Sequence, residues 1–414
     1  MRIVYLHQYF NTPDMPGGTR SYEMARRLVA WGHEVHMVTS WREPTDTPGW
    51  FTTEEAGIQV HWLPVPYSNH MSYRKRLRAF LKFALGAARK AASLPADIVF
   101  ATSTPLTIAL PGVYAARRQK VPMVFEVRDL WPEVAIAVGA LRNPMTCWAA
   151  RRLERFAYRN SARVIALSPG MAEGVARAGY PEERIATIPN SSDLDLFRPD
   201  EALAREFRVS YPELGDGPII LYPGTLGRIN GVAYFADLAA QVVAERPDCR
   251  FVIIGSGIEW DRVRARGEKL GVLGANLFMY PALPKRELVE ALAAASVVAS
   301  LFVNIPEMEA NSANKFFDGL ASGTPVAINY CGWQADVLKE AGAGFVLPRD
   351  VGEAANHLVA WLNDPAGLQE AGRRARTVAE EQFSRDKLAE QLHAVLLDAV
   401  ASPARTPLRR TSPK

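Results

Sequence analysis

Short apolar runs alternate with helix-length amphipathic segments along most of the chain. In the segment Ser21–Trp31, for example, Tyr22, Ala25, Leu28 and Val29 fall on one face of a helix. The apolar runs of the first half that we interpret as buried strands are Arg2–Leu6, Glu34–Thr39, Ile98–Phe100, Met123–Glu126 and Val164–Ala166. Alternation of this kind predicts an α/β fold with a doubly wound, parallel sheet.

The alternation stops at a polar, proline-bearing segment, Ile188–Asp200, and then begins again. The strands predicted in the second half are Pro218–Pro223, Arg250–Gly255, Leu277–Tyr280, Val297–Leu301 and Pro325–Ile328. A chain of 414 residues also exceeds what one core usually serves. We therefore expect two Rossmann-like domains, 1–190 and 200–385, that face each other across a cleft. An amphipathic helix at Asp386–Val400 precedes residues 401–414, whose composition predicts disorder.

The composition is that of an ordinary globular protein, with 48% hydrophobic and 22% charged residues. Cys147, Cys249 and Cys331 are far apart and have no metal or redox spacing, which fits a reducing cytoplasm. The first residues have the pattern of a strand rather than of a signal peptide, and no apolar run has the length of a membrane span. The net charge of +4 is mild, so its distribution tells more than its size.

Three glycine-bearing turns follow predicted strands. The first contains Gly17 and Gly18, the second is PGTLGRING with Gly224 and Arg228, and the third is GSG beginning at Gly255. Glycine lets backbone amides approach phosphate closely, and a following helix N-terminus favours an anion. Any one of these is more simply a structural turn, but three of them in two domains point to phosphate binding. The first turn departs from the dinucleotide pattern, which disfavours a nicotinamide cofactor.

The segment NSANKFFDGLASG at 311–323 carries a candidate nucleotide site. We expect Ser312 to cap a short helix that ends at Gly323. Lys315 and Asp318 are three residues apart and therefore share a helix face. The positive helix end with Lys315 suits a diphosphate, and the Asp318 carboxylate suits ribose hydroxyls. The alternative is a surface lysine–aspartate pair on an amphipathic helix.

A charged and aromatic cluster, EVRDLWPE, follows the strand that ends near Glu126. Charges at a buried strand end are costly unless they are paired or face a cleft. Arg128 and Asp129 are therefore candidates for a functional site. The alternative is a structural ion pair of Arg128 with Asp129 or with Glu126.

The segment Tyr73–Lys90 predicts a basic amphipathic helix without an acidic residue. Its basic residues are Arg74, Lys75, Arg76, Arg78, Lys82, Arg89 and Lys90, and its apolar stripe is Leu77, Phe80, Leu81, Ala84, Leu85 and Ala88. Such a helix suits an anionic membrane surface, and we expect its stripe to pack on the core while Phe80 or Phe83 reaches the headgroups. The alternative is a core-facing helix with a solvated basic face. The chain lacks the broad basic surface that a nucleic-acid partner would require.

As an ordered set, these segments resemble glycosyltransferase family 4, the retaining enzymes of the GT-B fold. PGGTRSYEMARRLVAWGHEVHMVTS is similar to the family's first strand–loop–helix–strand unit, and RDLWPE resembles the colanic-acid-like branch that builds bacterial surface polysaccharides. PGTLGRING, GSG and NKFFDGLASGTPV, which begins at Asn314, match the donor domain in order and spacing. The resemblance covers nearly the whole chain, and it implies that the last helix, Asp386–Val400, crosses back to the N-terminal domain.

The sequence departs from the family pattern in the first donor loop. The family usually has an arginine and a lysine at the positions that hold Thr225 and Asn230 here. The resemblance then implies that Arg228 or Lys315 supplies the charge facing the diphosphate.

Two further departures concern the candidate catalytic residues, which the resemblance places at Arg128, Asp129 and Glu309. Arg128 stands where many members carry a histidine before the aspartate. The family also has two glutamates eight positions apart. The second corresponds to Asp318, and the first would fall at Ala310, with Glu309 beside it.

The resemblance implies transfer of a sugar, with retention, from a nucleotide-sugar in the C-terminal domain to a lipid-linked saccharide over the N-terminal domain. A uridine nucleotide is favoured. Residues expected at the acceptor and membrane side are Arg20, Arg74, Lys75, Arg76 and Arg78. We expect no metal and no other cofactor, because helix N-termini and cations can neutralise a leaving diphosphate. The expected location is cytoplasmic, at the inner face of the cell membrane. The alternatives are a nucleotide-sugar epimerase and a non-catalytic nucleotide-sugar-binding subunit.

Overall fold

The chain forms two compact units. The computed structural model describes residues 1–15, 17–67, 71, 73–191 and 193–402, and only the backbone of Tyr73. Unit 1 comprises Met1–Thr12, Thr19–Pro189 and the residues from Asp386 onward; unit 2 comprises Pro13–Gly18 and Asn190–Arg385. Most of the predicted tail, residues 403–414, lies outside the described residues.

Unit 1 is built on an eight-stranded sheet in the order β3-β4-β2-β1-β5-β6-β7-β8. Its strands are β1 (Arg2–Leu6), β2 (Glu34–Trp41), β3 (Phe51–Glu55), β4 (Ile58–Pro64), β5 (Ile98–Thr102), β6 (Met123–Val127), β7 (Arg163–Ala166) and β8 (Ile185–Thr187). Its helices are α1 (Arg20–Ala30), α2 (Tyr73–Ser93), α3 (Ala109–Gln119), α4 (Glu133–Ala137), α5 (Pro144–Arg159) and α6 (Pro169–Arg177), with 3₁₀ turns at Leu106–Ile108 and Glu182–Arg184. The central strands are wholly buried, which explains their continuous apolar runs.

Three strands of this sheet, β3, β4 and β8, were not predicted. β3 and β4 form the antiparallel edge hairpin, joined by Ala56 and Gly57, which both have positive φ. The alternating exposure of β3 marks an edge strand, and its sequence FTTEE lacks the apolar run on which the prediction depended.

Unit 2 has a six-stranded, wholly parallel sheet in the order β11-β10-β9-β12-β13-β14. Its strands are β9 (Ile219–Thr225), β10 (Arg250–Ser256), β11 (Leu277–Tyr280), β12 (Val297–Ser300), β13 (Val326–Ile328) and β14 (Gly344–Val346). Its helices are α7 (Glu201–Ser210), α8 (Ala233–Val242), α9 (Trp260–Lys269), α10 (Lys285–Ala294), α11 (Asn314–Ala321), α12 (Trp333–Ala341), α13 (Val351–Leu362) and α14 (Pro365–Gln382), with 3₁₀ turns at Pro212–Leu214 and Pro306–Ala310. Phe235, Phe251 and Leu358 lie in the core on one side of the sheet.

The last helix, α15 (Arg385–Ala401), returns the chain to unit 1. Leu388, Leu392 and Leu396 recur every four residues and are buried, so one face of the helix packs on the unit. Arg163 and Asp398 form an ion pair of 2.6 Å near its end.

The predicted fold class, two Rossmann-like α/β domains, is confirmed. In each sheet, strands are added first on one side of the first strand of the unit and then on its other side. The direction of strand addition therefore reverses between β1 and β5 in unit 1 and between β9 and β12 in unit 2. Ligands of open α/β sheets bind beyond the carboxyl ends of the strands at such points. These two strand ends are therefore where functional side chains are expected.

Candidate active site

The glycine turns after β9 and β10 lie against each other at the switch point of unit 2. Gly224 has a φ of +139°, which favours glycine. A Cβ atom at Gly255 would lie 1.8 Å from the carbonyl oxygen of Gly224, so only glycine fits there. Close packing of the turns accounts for these residues, and their contact with a donor phosphate stays a prediction.

Lys315 lies beside this pair of turns, in the first turn of α11. Its side chain is 9% exposed, and its ammonium nitrogen lies 4.8 Å from the ring centre of Tyr222 and 5.3 Å from that of Phe302. A Cβ atom at Gly224 would lie 3.3 Å from Cε of Lys315. Burial lowers the pKa of Lys315 to about 8. No carboxylate in the described part of the chain forms an ion pair with it. An anion at the end of β9 would compensate this charge.

Asp318 follows one turn later on α11. The residue is 8% exposed, and its Oδ1 atom has no hydrogen-bond partner among the described residues. Burial raises the pKa of its carboxyl, while the positive charges of Lys285 and Arg385 oppose the rise. An unpaired, buried carboxylate oxygen is costly unless a donor such as a ribose hydroxyl binds it.

The predicted cap of this helix is wrong. Ser312 does not cap α11, because its hydroxyl accepts a hydrogen bond of 3.0 Å from the backbone N–H of Asn190. The helix begins at Asn314, with Ala313 in the cap position and no side-chain cap. The backbone amides of the first turn therefore lack a side-chain partner, as an anion site requires.

The remaining donor-side candidates are more exposed. Arg228 is exposed in the loop after β9, and Glu309 is exposed in the 3₁₀ turn Pro306–Ala310. Asn230 closes that loop, since its side-chain oxygen accepts a hydrogen bond of 3.0 Å from the N–H of Gly227. Among the described residues, no hydrogen bond or ion pair joins Glu309 to Lys315, so its catalytic role stays a prediction.

In unit 1 the candidate residues Arg128 and Asp129 follow β6. Arg128 donates its backbone N–H to Ser103 at 3.0 Å, and its Nη1 lies 3.3 Å from Nε2 of His7, which follows β1. Asp129 is exposed and accepts a hydrogen bond of 3.3 Å from Thr104. The two residues thus lie at the switch point of unit 1. Among the described residues, Arg128 forms neither of the ion pairs, with Asp129 or with Glu126, that were the alternative to a functional site.

Arg20 was predicted at the acceptor or membrane side, and this prediction is wrong. Its Nη2 donates to the Glu126 carboxylate at 2.8 Å, and both side chains are buried. Its remaining donors reach the backbone oxygens of Ile188 and Pro189. Arg20 is therefore the structural counter-ion of Glu126 within unit 1, and its donors are occupied.

The first glycine turn occupies a different position from the other two. Gly17 is exposed with a φ of +122°, and residues 13–18 group with unit 2 although β1 and α1 belong to unit 1. Helix α1 begins at Arg20 without a side-chain cap. Donor contacts of Gly17 and Gly18 stay a prediction.

Helix α2 exposes its leucines and buries four alanines and a phenylalanine. Leu77, Leu81 and Leu85 are 41%, 44% and 71% exposed, whereas Phe83 is 1% exposed. The leucines of the apolar stripe therefore do not pack on the core as we predicted, and Phe83 cannot reach a membrane. The core-facing positions are Ala79, Phe83, Ala87 and Ala91, together with Ala84, the one buried member of the predicted stripe. The basic residues Arg74, Lys75 and Arg78 are exposed beside the leucines, and Arg76 is half-buried.

Exposed apolar side chains also occur on the helices next to α2. α2 packs on α3 and α3 on α5. Exposed apolar side chains on these neighbours include Tyr114 on α3, and Met145 and Trp148 on α5, which are 79% and 63% exposed. Arg152 lies over the Trp148 ring at 5.0 Å. We call α2, α3 and α5 with these side chains the basic-apolar surface.

No described helix combines the length and the apolar character that crossing a membrane requires. Within the same residues, no group of three or more His, Cys, Asp or Glu side chains is arranged to hold a metal ion.

The described geometry is matched by two family models that follow one another along the chain. Residues 17–191 match the Glycosyl transferase 4-like domain, and residues 204–378 match Glycosyl transferases group 1. The chain carries the two domains of the GT-B glycosyltransferases. Lys315, Asp318 and both glycine turns of unit 2 fall within the group 1 domain, and Arg128 and Asp129 within the 4-like domain.

Proteins named for a known activity are similar in sequence to part of this chain. A D-inositol 3-phosphate glycosyltransferase of Segniliparus rotundus is 27% identical over 241 residues, 55% of this chain and 50% of the relative. A GDP-mannose-dependent alpha-mannosyltransferase of Mycobacterium tuberculosis is 30% identical over 266 residues, 63% of this chain and 62% of the relative. The chain thus matches these relatives over about half to three fifths of their length.

Solved structures match the GT-B fold over almost the whole chain. Anabaena Alr3699/HepE in complex with UDP and glucose has a TM-score of 0.72 at 18% identity, covering 96% of this chain and 100% of that one. WaaG, a glycosyltransferase involved in lipopolysaccharide biosynthesis, has a TM-score of 0.70 at 16% identity, covering 95% and 99%. At these identities the likeness shows the fold.

Tyr222 and Phe302, which flank the Lys315 ammonium, were not found from the sequence. Tyr222 immediately precedes the PG of the glycine turn, and Phe302 follows β12 shortly after its last residue. The sequence does show an aromatic residue near the ends of both β9 and β12. These two residues could be placed together only once β9 and β12 were known to be neighbours in the sheet.

Proposed function

We propose that the chain is a retaining glycosyltransferase that moves a sugar from a nucleotide-sugar to a membrane lipid-linked saccharide. The observation that carries the proposal is Lys315, a buried cation at the switch point of the group 1 domain that forms no ion pair within the described part of the chain. A site that keeps such a charge is suited to a diphosphate, the group that leaves when a nucleotide-sugar is cleaved.

The donor side needs no group other than those of unit 2. Lys315, the uncapped amides at the start of α11 and the exposed Arg228 can share the charge that develops on the leaving diphosphate. Asp318 is the acceptor for the ribose hydroxyls. The proposal therefore invokes no metal and no other cofactor, because these cations and dipoles act where the negative charge appears.

The base of the nucleotide is proposed to be uracil. Among structures of similar fold, Anabaena Alr3699/HepE was solved with UDP and glucose. The mannosyltransferase relative is named for GDP-mannose, so a guanosine donor is the alternative that the experiment below includes.

The acceptor side is proposed to lie at unit 1, with the basic-apolar surface against the inner face of the cell membrane. Exposed leucines at helical spacing, flanked by Arg74, Lys75 and Arg78, suit insertion among anionic headgroups. Trp148 on α5 has the amphipathic character of an interfacial anchor. Arg128 and Asp129 are the candidate catalytic residues at the end of β6.

The process that such an enzyme would serve is bacterial surface polysaccharide synthesis of the colanic-acid type. Support comes from the RDLWPE segment and from the similarity in fold to WaaG, which is involved in lipopolysaccharide biosynthesis. A lipid-linked saccharide would reach unit 1 from the membrane on which the basic-apolar surface is proposed to rest.

The test is an incubation of the full chain with UDP- and GDP-sugars labelled in the sugar, with and without a bacterial membrane extract. The proposal predicts that label enters the lipid fraction only when the extract is present. Isomerised sugar nucleotide without the extract would indicate an epimerase instead. Nucleotide binding with neither product would indicate a non-catalytic binding subunit.

A further inference from the structure

The chain beyond β1 continues beside β2 and places a group of polar side chains together. The N–H of His7 donates to the Val38 oxygen at 3.2 Å, and the N–H of Ser40 donates to the Gln8 oxygen at 3.3 Å. Tyr9 therefore lies next to the end of β2, where Arg42 follows Trp41. This is the same edge of the sheet at which Arg128 approaches His7.

His7 holds an unpaired donor at this edge. Arginine can only donate, so the 3.3 Å contact from Nη1 of Arg128 requires Nε2 of His7 to accept. The proton of the neutral ring then sits on Nδ1, which is buried and has no hydrogen-bond partner among the described residues. Burial, together with the charges of Arg128 and Arg42, lowers the pKa of His7 and keeps the ring neutral.

Tyr9 and Arg76 extend the group. The Tyr9 ring lies 4.9 Å from that of Tyr67, and the Arg76 guanidinium lies over the Tyr67 ring at 5.7 Å. The Tyr9 hydroxyl and Nε of Arg76 are both buried without a hydrogen-bond partner in the described chain. Arg76 is thus directed inward, unlike Lys75, which precedes it on α2 and is exposed.

Positive charge dominates this group of side chains. Arg42, Arg76 and Arg128 form no ion pair with a carboxylate within the described residues. Arg42 bonds to Asn11, and Glu43 acts on it electrostatically without a salt bridge. Asp129, beside Arg128, is exposed and bonded to Thr104. Arg42 and Arg128 thus act electrostatically on His7, and Arg42 and Arg76 act on Tyr9. The cluster gathers three guanidinium groups beside two buried donors, Nδ1 of His7 and the Tyr9 hydroxyl, that lack a hydrogen-bond partner among the described residues.

We propose that the His7 cluster (His7, Tyr9, Arg42, Arg76 and Arg128) binds a phosphate or diphosphate group of the acceptor. Phosphate offers only acceptor oxygens at neutral pH, which matches a set of unpaired N–H and O–H donors. Guanidinium groups bind such oxygens in a bidentate manner. The inference rests on the proposed function, and it assigns the acceptor to the glycosyl phosphates or diphosphates.

The experiment is calorimetric titration of inorganic pyrophosphate into the full chain, with UDP present in excess to occupy the anion site of unit 2. The variants are Arg42→Gln, Arg76→Gln and Tyr9→Phe, with Lys269→Gln and Arg118→Gln as matched controls. Lys269 is an exposed lysine of α9, and Arg118 is an exposed arginine of α3. The midpoint of thermal unfolding and the affinity for UDP are measured for each variant to show that the fold and unit 2 are intact.

The expected result is one pyrophosphate site, weakened at least tenfold by Arg42→Gln and Arg76→Gln, severalfold by Tyr9→Phe, and less than twofold by the controls. No pyrophosphate binding by a chain that binds UDP would overturn the inference and leave the proposed function standing. Equal weakening by all of the arginine and lysine variants would overturn it too, since it would show diffuse attraction. A chain that binds neither UDP nor GDP would instead contradict the proposed function.

A second arm separates the acceptor from the membrane as the source of the phosphate. Glycerophosphoglycerol, the soluble headgroup of phosphatidylglycerol, is added as a competitor of pyrophosphate. We expect no competition, because this diester carries one charge and the cluster offers several cations. Competition at similar concentrations would assign the cluster to a lipid headgroup and overturn the acceptor assignment.

Discussion

The ammonium group of Lys315 lies 4.8 Å from the ring centre of Tyr222, directly beside the glycine turn that ends β9. The aromatic face partly compensates the charge of the cation, which forms no ion pair with a carboxylate of the described residues. A full anion at the same place would compensate it further. The contact with Tyr222 explains how unit 2 tolerates a buried lysine.

Replacing Lys315 with methionine should stabilise the ligand-free chain. The pKa of Lys315 is about 8 in the folded chain and 10.5 when unfolded, so the folded state disfavours the proton. Below pH 8 this costs about 3 kcal/mol of unfolding free energy. As the pH rises from about 8 to about 10.5 the unfolded chain binds more protons than the folded one, and the stability of the parent rises toward that of the variant.

Urea unfolding of the parent and Lys315→Met between pH 7 and 10.5 measures this difference. The matched control is Lys269→Met, which removes an exposed lysine of α9. The stability gain should shrink with pH for Lys315 and stay constant for Lys269. A Lys315→Met chain less stable than the parent at pH 7 would contradict the assignment.

Asp318→Asn should weaken the binding of UDP by about 1.5–3 kcal/mol, because a charged hydrogen bond to the ribose is lost. Calorimetry on the parent and the variant gives the difference, and Asp336→Asn on the exposed face of α12 is the control. The variant keeps the shape of the side chain, so its thermal midpoint should change little. If Asp318→Asn binds UDP as tightly as the parent does, the ribose assignment is wrong.

Arg20→Met should destabilise unit 1 by about 3–5 kcal/mol, since it leaves the Glu126 carboxylate buried without its counter-ion. The double variant Arg20→Met/Glu126→Met should recover much of the loss. Chemical unfolding of the parent, both single variants and the double variant completes the cycle. A neutral Arg20→Met would mean that the pair is not the structural element described here.

The basic-apolar surface should bind anionic vesicles. Changing Arg74, Lys75 and Arg78 to Gln removes three exposed charges, each worth about 1 kcal/mol near such a surface. Co-sedimentation with phosphatidylglycerol vesicles should therefore weaken about a hundredfold. It should also fade in the parent as salt rises, because the Debye length falls to about 3 Å at about 1 M.

Two further variants make the vesicle experiment specific. Leu81→Ser with Leu85→Ser should weaken binding without changing charge, because both leucines are exposed. A control chain with Arg262, Arg264 and Lys269 changed to Gln loses as much charge from α9 of unit 2, and should sediment like the parent. If that control loses as much vesicle binding, the net charge of the chain and not the basic-apolar surface accounts for the binding.

The fold could be predicted because its parallel strands are buried on both faces and read as apolar runs. The strands that were missed lack that run: β3 is half-exposed, the apolar residues of β4 are interrupted by Gln59 and His61, and β8 and β14 have three residues each. The phase of α2 was also misjudged. A stripe of leucines and a stripe of alanines both have helical spacing, and the sequence alone does not tell which one faces the core.

The candidate site could be predicted in part. Lys315 and Asp318 stood out because their spacing places them on one helix face, and the structure finds both buried. The partner of Arg20 could not be found in the same way, since Glu126 is 106 residues away and becomes a neighbour only through the sheet order. The His7 cluster escaped notice for the same reason, because its members follow different strands or lie on α2.

We propose that unit 2 holds the diphosphate of a nucleotide-sugar at Lys315, and calorimetric binding of UDP and of uridine tests this proposal. The variants are Lys315→Met and Arg228→Met, with Lys269→Met as the control. We expect Lys315→Met to weaken the binding of UDP at least tenfold, Arg228→Met to weaken it less, and neither variant to change the binding of uridine. Equal weakening of UDP and uridine, or unchanged binding of UDP by Lys315→Met, would contradict it.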